Sequence, residues 1–188
     1  MLYKYLSKIN RIEDIIRNNR LYASTYTNLN DPMEGIFKHR GLHKKILKKL
    51  KSDKGKMRIC SLSEKCDDAL MWAFYANGER GVVIGINRNS IRDVYDIKSI
   101  QYQEIPCYDS GDNIIVEDIL SYKKEEWKHE KEVRVFTRDE YVDVEIEEII
   151  LGSRIRPSNE QRIRNLIEKA GLVDKIKIEK LENVLYRV

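Results

Sequence analysis

Three residue types are scarce in this sequence of 188 residues, which has 3 cysteines, 3 histidines and 3 prolines. Five residues separate Cys60 from Cys66, which is not zinc-knuckle spacing, and a three-histidine site would need every histidine of the chain. The sequence therefore predicts no metal. Its longest apolar runs fall far short of the ~18 residues of a membrane span. The N-terminus has no signal-peptide pattern, so we expect a cytoplasmic protein with no membrane contact.

The apolar content is sufficient for one core, because 41% of the residues are hydrophobic and 35% are charged. The 3 prolines and 9 glycines are thinly spread and mark no linker, so we predict a single domain over residues 1–188. Alternating and apolar segments predict about eight or nine strands, and helical spacing predicts about five helices. Because helices cluster early and strands late, we predict an α+β fold with a mixed or antiparallel sheet.

Local patterns predict the following strands, helices and loop near the charged and aromatic segments. They are a strand over Leu2–Leu6, a basic helix over Leu42–Leu50 with a loop over Ser52–Lys56, a helix over Val116–Lys124, a strand over Lys131–Thr137, and final strands over Lys175–Lys180 and Leu185–Arg187.

Positive charge is concentrated in the first third of the chain. Residues 1–60 carry a net charge of +10 and residues 61–188 a net charge of −6, and most of the excess lies in His43–Lys56. A helix over this segment could contact nucleic-acid phosphates. The alternative is an amphipathic helix that buries its leucine and isoleucine stripe and exposes its lysines to solvent without a ligand. The candidate phosphate contacts are Lys44, Lys45, Lys48 and Lys49.

A late strand carries charged residues at alternate positions. Side chains alternate along a strand, so Glu130, Glu132 and Arg134 are predicted on one face, and Val133 and Val135 on the other. The charged face is then either a cleft or a solvated surface with an ordinary salt bridge. In a cleft, two carboxylates and a guanidinium suit a sugar hydroxyl and a cationic transition state.

Two further motifs each have a structural and a functional interpretation. Asn30-Asp31-Pro32-Met33-Glu34 is either a rigid turn or a loop that places Asp31 or Glu34 beside a ligand. Trp72 and Tyr75 share a helix face, which either packs in the core or stacks on a planar ring.

These motifs together, in this order, resemble a family of bacterial and phage proteins described as domain of unknown function 2971. The resemblance covers roughly residues 2 to 155, and the family name carries no assigned reaction. The matching segments are Leu2–Tyr5, Leu21–Ser24, Asn30–Glu34, Cys60–Ser63, Met71–Asn77, Gly81, Trp127–Arg134 and Ile149–Gly152.

The opening strand, helix and Leu21-Tyr22-Ala23-Ser24 also resemble the start of ADP-ribosyltransferase-like domains, and Glu130-Lys131-Glu132 resembles their late Glu-x-Glu motif. The resemblance implies that Glu132 bonds the nicotinamide ribose of NAD and that Glu130 orients the acceptor. It also implies a nucleotide-binding pocket. This sequence departs from the family pattern at Tyr3-Lys4-Tyr5, where relatives place His or Arg. The implied pocket residues are Tyr5 and Tyr22 or Tyr26 against the nicotinamide, and Ser24 in support of the glutamate. The turn and helix motifs described above add Asn30, Asp31, Trp72 and Tyr75 as candidate nucleotide contacts.

Our leading expectation is an enzyme that uses NAD as co-substrate and transfers ADP-ribose to an acceptor, with phage defence as its setting. The alternative is a non-catalytic module that binds nucleic acid through residues 43–56, or that binds a nucleotide. An interaction protein with an acidic partner is a third class, which no motif specifies.

Overall fold

The computed structural model describes residues 1–182. Five α-helices and three short 3-10 helices occur in this range. The α-helices are α1 (Ile9–Asn18), α2 (Lys44–Lys56), α3 (Ala69–Tyr75), α4 (Val116–Ile119) and α5 (Pro157–Lys169). The 3-10 helices span Tyr26–Asn28, Arg88–Ser90 and Glu125–Glu130.

Fourteen strands accompany these helices in the described residues, so the predicted α+β class is confirmed. The strands are β1 (Leu2–Leu6), β2 (Arg20–Tyr22), β3 (Ser24–Thr25), β4 (Lys38–Arg40), β5 (Arg58–Ser63), β6 (Val82–Ile86), β7 (Asp96–Ser99), β8 (Gln101–Tyr102), β9 (Cys107–Asp109), β10 (Tyr122–Lys123), β11 (Glu132–Thr137), β12 (Tyr141–Asp143), β13 (Ile146–Leu151) and β14 (Lys177–Lys180). Within residues 1–182, none of the helices has both the length and the apolar character that a bilayer crossing demands.

The chain forms two compact units. The first unit comprises Met1–Leu21, Leu62–Arg92 and the described residues from Asp143 onward. The second unit comprises Tyr22–Ser61 and Asp93–Val142.

The first unit is built on strands in the order β14-β13-β6-β1. β13 pairs parallel with β14 and antiparallel with β6, and β6 pairs antiparallel with β1, so the sheet is mixed. All five residues of β6 are buried, as expected of an apolar strand with a neighbour on each side. α1 buries Ile12, Ile15 and Ile16 on one face and contacts α5.

The second unit contains β3, the first four residues of β5, β11 and β7, with β11 between β5 and β7. All six residues of β11 are buried, including its two charged residues, Glu132 and Arg134. Two parallel strand pairs accompany this sheet, β10 with β8 and β4 with β9. An apolar core of Leu50, Met57, Ile59, Val116, Ile119, Leu120 and Phe136 lies in the same unit.

Several predicted boundaries needed correction. The predicted strand over Leu2–Leu6 is confirmed as β1, but α2 continues through the predicted loop to Lys56. The helix predicted to reach Lys124 is wrong beyond Ile119, because Tyr122 and Lys123 pair with β8 instead. The strand predicted over Leu185–Arg187 lies outside the described residues.

Candidate functional site

Five ionisable side chains meet in the interior of the second unit. The exposed fraction of each side chain is at most 6%. Charged residues are almost never so buried unless they are paired, which makes this group the most unusual chemical feature of the unit. We call it the charge cluster, and its members are Glu34, Lys123, Glu130, Glu132 and Arg134.

Different segments of the chain contribute these side chains. Glu132 and Arg134 are two residues apart in β11 and therefore point to the same side. Lys123 ends β10, and Glu130 ends the 3-10 helix that precedes β11. Glu34 comes from residues 29–37, which form no helix or strand.

Arg134 is the centre of the cluster, and all five of its N–H groups have an acceptor. Nη1 and Nη2 each lie 2.6 Å from an oxygen of Glu34, which gives a bidentate pair. Nε lies 2.8 Å from Oε1 of Glu132, and Nη2 lies 3.1 Å from Oε2 of the same carboxylate. Nη1 also donates to the carbonyl oxygen of Leu120 at 2.6 Å. The guanidinium therefore has no donor left for another ligand.

The ammonium group of Lys123 lies among three carboxylates of the cluster. Its Nζ lies 2.6 Å from Oε2 of Glu130, 2.8 Å from Oε2 of Glu132 and 3.5 Å from Oε1 of Glu34. It also lies over the ring of Trp127, 5.2 Å from the ring centroid, within the range of a cation–π interaction. The contacts with Glu130 and Glu132 are at hydrogen-bond distance, and the contact with Glu34 is a longer ion pair.

The pKa values follow from burial and from the charges within the cluster. Burial alone would raise the pKa of Glu132, but Arg134 and Lys123 outweigh it and hold that pKa well below its ordinary value of 4.5. Burial raises the pKa of Glu34, and Arg134 only partly opposes that effect. Burial also opposes the charge of Arg134, yet Glu132 and Glu34 together raise its pKa. Glu132 is therefore the carboxylate that the cluster keeps ionised.

A tyrosine fixes the backbone where β11 begins. The amide N–H of Glu132 donates to the hydroxyl of Tyr102 at 2.8 Å. Burial raises the pKa of Tyr102 to about 12, so the hydroxyl stays neutral at physiological pH. Lys131, just before the strand, adopts the left-handed conformation with φ of 44°. This turn separates Glu130 from the regular alternation of β11.

The arrangement determines which ligand chemistry the cluster can serve. Every donor of Arg134 is used, and Lys123 is paired with three carboxylates, so the cluster does not favour an anion. A carboxylate has about four acceptor positions, and Glu132 receives two bonds from Arg134 and one from Lys123. With all groups ionised, three carboxylates and two cations leave one net negative charge. The cluster can therefore accept a hydroxyl donor or stabilise a positive charge.

The structure corrects the expected surroundings of the predicted catalytic residues. Glu130, Glu132 and Arg134 do come together, but they are 3%, 5% and 0% exposed and lie neither on a solvated strand face nor in an open cleft. Glu130 is not in the strand at all and joins Glu132 through Lys123. Mutual pairing removes the energetic objection to burying them.

Two cluster members were missed as site residues. The turn motif pointed to Glu34 only as one of two acids beside a ligand, and the structure places it on Arg134. No sequence pattern marked Lys123 as a site residue, because it was predicted to lie in a helix. Its partners Glu130 and Glu132 follow it by seven and nine residues.

The predicted ring contacts Tyr5, Trp72 and Tyr75 belong to the first unit. Tyr5 and Trp72 pack edge to face with centroids 5.6 Å apart, and both are buried. The Trp72 indole N–H donates to the carbonyl of Cys66 at 2.8 Å, and the Tyr5 hydroxyl donates to that of Lys65 at 3.0 Å. Tyr75 is half-buried against the same apolar cluster. These rings are core residues of their unit.

The other predicted nucleotide contacts lie in the second unit. Their positions differ in exposure and in partners, and none of them belongs to the charge cluster. Tyr22 is 40% exposed and packs edge to face on Tyr141, Ser24 is in β3, Tyr26 lies beneath the Lys54 ammonium at 4.7 Å, Asn30 is exposed, and Asp31 is buried with its carboxylate accepting from the Met33 amide at 2.8 Å.

The four predicted phosphate contacts, Lys44, Lys45, Lys48 and Lys49, are all exposed on α2. Among residues 1–182, none of the four forms an ion pair. The helix is anchored by Leu50, which is 5% exposed, whereas Ile46 of the predicted apolar stripe is 41% exposed.

A cavity of about 290 Å³ also lies in the second unit. Its lining includes Tyr95, Phe136 and Arg138, and no member of the charge cluster contributes to it. Within residues 1–182, no group of three or more histidine, cysteine, aspartate or glutamate side chains has an arrangement that could hold a metal ion.

The comparisons with known proteins give no relatives for this chain. No family model, no curated protein and no solved structure matches it. Both resemblances described under Sequence analysis therefore stay predictions.

Proposed function

We propose that this chain is an ADP-ribosyltransferase-like enzyme in which Glu132 acts on the nicotinamide–ribose bond of NAD. The observation that carries the proposal is the excess of carboxylate over cation in the charge cluster, in which all donors of Arg134 are occupied. Buried ion pairs add little net stability compared with apolar packing, so a five-member cluster is a candidate for function.

The proposed reaction breaks the bond between the nicotinamide nitrogen and C1′ of the ribose. The bonding electron pair leaves with nicotinamide, and positive charge develops on the ribose ring. The acceptor's nucleophile then bonds to C1′ and releases a proton. Glu132 would accept a hydrogen bond from a ribose hydroxyl and stabilise the cationic transition state, while Arg134 and Lys123 keep its carboxylate ionised and oriented.

Access to Glu132 places a requirement on this proposal. The side chain is 5% exposed, so substrate must uncover it on binding. The segment best suited to move is residues 29–37, which contains no regular structure and carries Glu34. Glu130, paired with Lys123, would orient the acceptor.

Release of nicotinamide from NAD tests the role of Glu132. Glu132→Asp keeps the charge but withdraws the carboxylate by one methylene, so we expect turnover to fall by about 10²–10³-fold while the fold is retained. Glu132→Gln should also abolish turnover, but it removes a buried charge and has to be judged beside its circular dichroism spectrum.

The matched control is Glu13→Gln, which alters a half-buried glutamate of the first unit that is paired with Arg162, and it should leave turnover unchanged. Turnover by Glu132→Asp within threefold of the unaltered protein would exclude Glu132 as the catalytic residue. No nicotinamide release by the unaltered protein, with no shift in Tm at millimolar NAD, would refute the enzymatic proposal.

A second candidate function is nucleic-acid binding by α2. It is favoured by the exposed lysines of that helix, which lack acidic partners in the described part of the chain. β4, whose three residues Lys38, His39 and Arg40 are all exposed, adds positive charge in the same unit. Phosphate contacts of this kind give an affinity that falls steeply with salt.

Reversal of the four lysines tests this candidate. We expect Lys44→Glu, Lys45→Glu, Lys48→Glu and Lys49→Glu in one variant to lower affinity for a single-stranded oligonucleotide at low salt by at least tenfold, with a shallower salt dependence. A control variant makes the same charge change on exposed residues of the first unit. The control substitutions are Lys8→Glu, Arg11→Glu, Lys169→Glu and Lys175→Glu. Equal losses in the two variants would show that only net charge matters and would count against α2.

A further inference from the structure

The connection between α3 and β6 in the first unit has an unusual backbone. Asn77, Gly78 and Glu79 are consecutive and all left-handed, with φ values of 53°, 59° and 62°. Backbone hydrogen bonds hold this turn. The Gly78 amide donates to the carbonyl oxygen of Trp72 at 2.9 Å, and the carbonyl oxygen of Glu79 accepts from the Arg154 amide at 2.9 Å. The turn is therefore a fixed platform rather than a loose loop.

Two arginine side chains converge on this platform. A point at the Cβ position of Gly78 lies 3.6 Å from Nη1 of Arg80 and 3.8 Å from Nη1 of Arg154. The two Nη1 atoms are therefore no more than about 7.4 Å apart, the limit that these two distances set. Apart from Gly78 and its chain neighbours, no other heavy atom of the described residues lies within 4 Å of that point. The absent side chain of Gly78 leaves open space between two guanidinium groups.

Neither guanidinium is neutralised within residues 1–182. Both arginines are exposed, and neither forms an ion pair there. Arg80 has only a long contact of 3.4 Å from Nη1 to the carbonyl of Asn77. The nearby carboxylate of Glu79 accepts instead from the hydroxyl of Ser153 at 2.5 Å. Two guanidinium groups thus lie within about 7.4 Å of each other, and no carboxylate among residues 1–182 forms an ion pair with either.

We propose that Arg80 and Arg154, over the backbone of Gly78, form a binding site for a phosphate group. Guanidinium groups match phosphate in geometry, and two of them on one oxyanion form charge-assisted hydrogen bonds. The site goes beyond the proposed activity, because it belongs to the first unit and uses no residue of the charge cluster. The phosphate belongs to a small phosphorylated molecule or to a nucleic-acid strand, which share this chemistry.

Calorimetric titration of the full chain with pyrophosphate at low salt tests the site. We expect Arg80→Ala and Arg154→Ala each to weaken binding about tenfold, and the double variant to abolish it. The matched control is Arg11→Ala with Arg17→Ala, which removes two exposed arginines of α1 in the same unit that form no ion pair within residues 1–182. Binding by the Arg80/Arg154 double variant that equals the control within twofold would overturn the proposal.

A second test uses Gly78 itself and does not depend on removing arginines. Asp and Asn have the same size, and both tolerate the left-handed conformation. Gly78→Asp should place a carboxylate between the guanidinium groups, which would block pyrophosphate binding and raise Tm relative to Gly78→Asn at low salt. Equal Tm values and equal pyrophosphate affinities for the two variants would contradict the site.

The source of the phosphate is decided by repeating the titration with ADP-ribose and with a single-stranded RNA oligonucleotide. Loss of ADP-ribose binding in the double variant assigns a small phosphorylated ligand, and loss of RNA binding alone assigns a nucleic-acid strand. Unchanged binding of both by the double variant would refute the proposal even if pyrophosphate binding fell.

Discussion

Replacing Arg134 with methionine is expected to destabilise the protein by about 3–5 kcal/mol. The substitution leaves the carboxylates of Glu34 and Glu132 in the interior without the guanidinium that both contact within 3.1 Å. Whole domains are stable by only about 5–15 kcal/mol, so this loss is a large fraction of the total. Urea denaturation, with the midpoint and slope compared between variants, measures it.

The control for this experiment is Arg162→Met. Arg162 also contacts both carboxylate oxygens of one glutamate, Glu13, but its side chain is 55% exposed. Exposed pairs contribute about 0–1 kcal/mol, so this variant should stay within that range. A loss at Arg134 no greater than the loss at Arg162 would show that the charge cluster is not a paired, buried unit.

Gly81→Ala is expected to destabilise the first unit by about 3 kcal/mol. A Cβ at this position would lie 2.1 Å from the carbonyl oxygen of Leu6 and 3.0 Å from that of Ala76. Neither oxygen can withdraw easily, because Leu6 is paired with Val82 in the sheet and Ala76 accepts from the Gly81 amide at 2.9 Å. The clash is therefore with backbone on both sides.

Gly55→Ala is the matched control for Gly81→Ala. Gly55 lies in α2, and apart from its chain neighbours and the helix's own nearby backbone, no heavy atom of residues 1–182 lies within 4 Å of the position that its Cβ would take. Alanine is preferred to glycine in a helix by about 0.5–1 kcal/mol, so this substitution should stabilise the protein. Thermal unfolding of both variants gives the comparison, and Tm changes of the same sign would contradict it.

Local pattern predicted the elements that depend on neighbouring residues. The alternation in Leu2–Leu6 and the helical spacing of Ile12, Ile15 and Ile16 are properties of short segments, and the structure has β1 and α1 there. The helix predicted to reach Lys124 fails because Tyr122 and Lys123 pair with Gln101 and Tyr102, about twenty residues earlier. Such pairing overrides local propensity and leaves no local signal.

For the candidate site too, the sequence predicted what depends on neighbouring residues and not what depends on distant ones. Strand alternation placed Glu132 and Arg134 on one side of β11. Their burial was not predictable, because it depends on Glu34, one hundred residues before Arg134, and on Lys123. Charged residues at alternate positions of a strand normally indicate a solvent-exposed face. In β11 the partners that neutralise these charges come from distant segments, and the strand is buried on both sides.

The ionisation of Glu132 is the most direct test of the account, and the pH dependence of its carboxyl ¹³C chemical shift measures it. The folded pKa lies below the ordinary 4.5, so the group stabilises the fold above that pH and loses this contribution as the pH falls through the folded pKa. We predict no titration of Glu132 between pH 7 and about 4, and titration at higher pH in Arg134→Lys, whose compact ammonium cannot replace the forked contact. A carboxyl that titrates at or above 4.5 in the unaltered protein would contradict the account, because Glu132 would then not be held as a paired carboxylate.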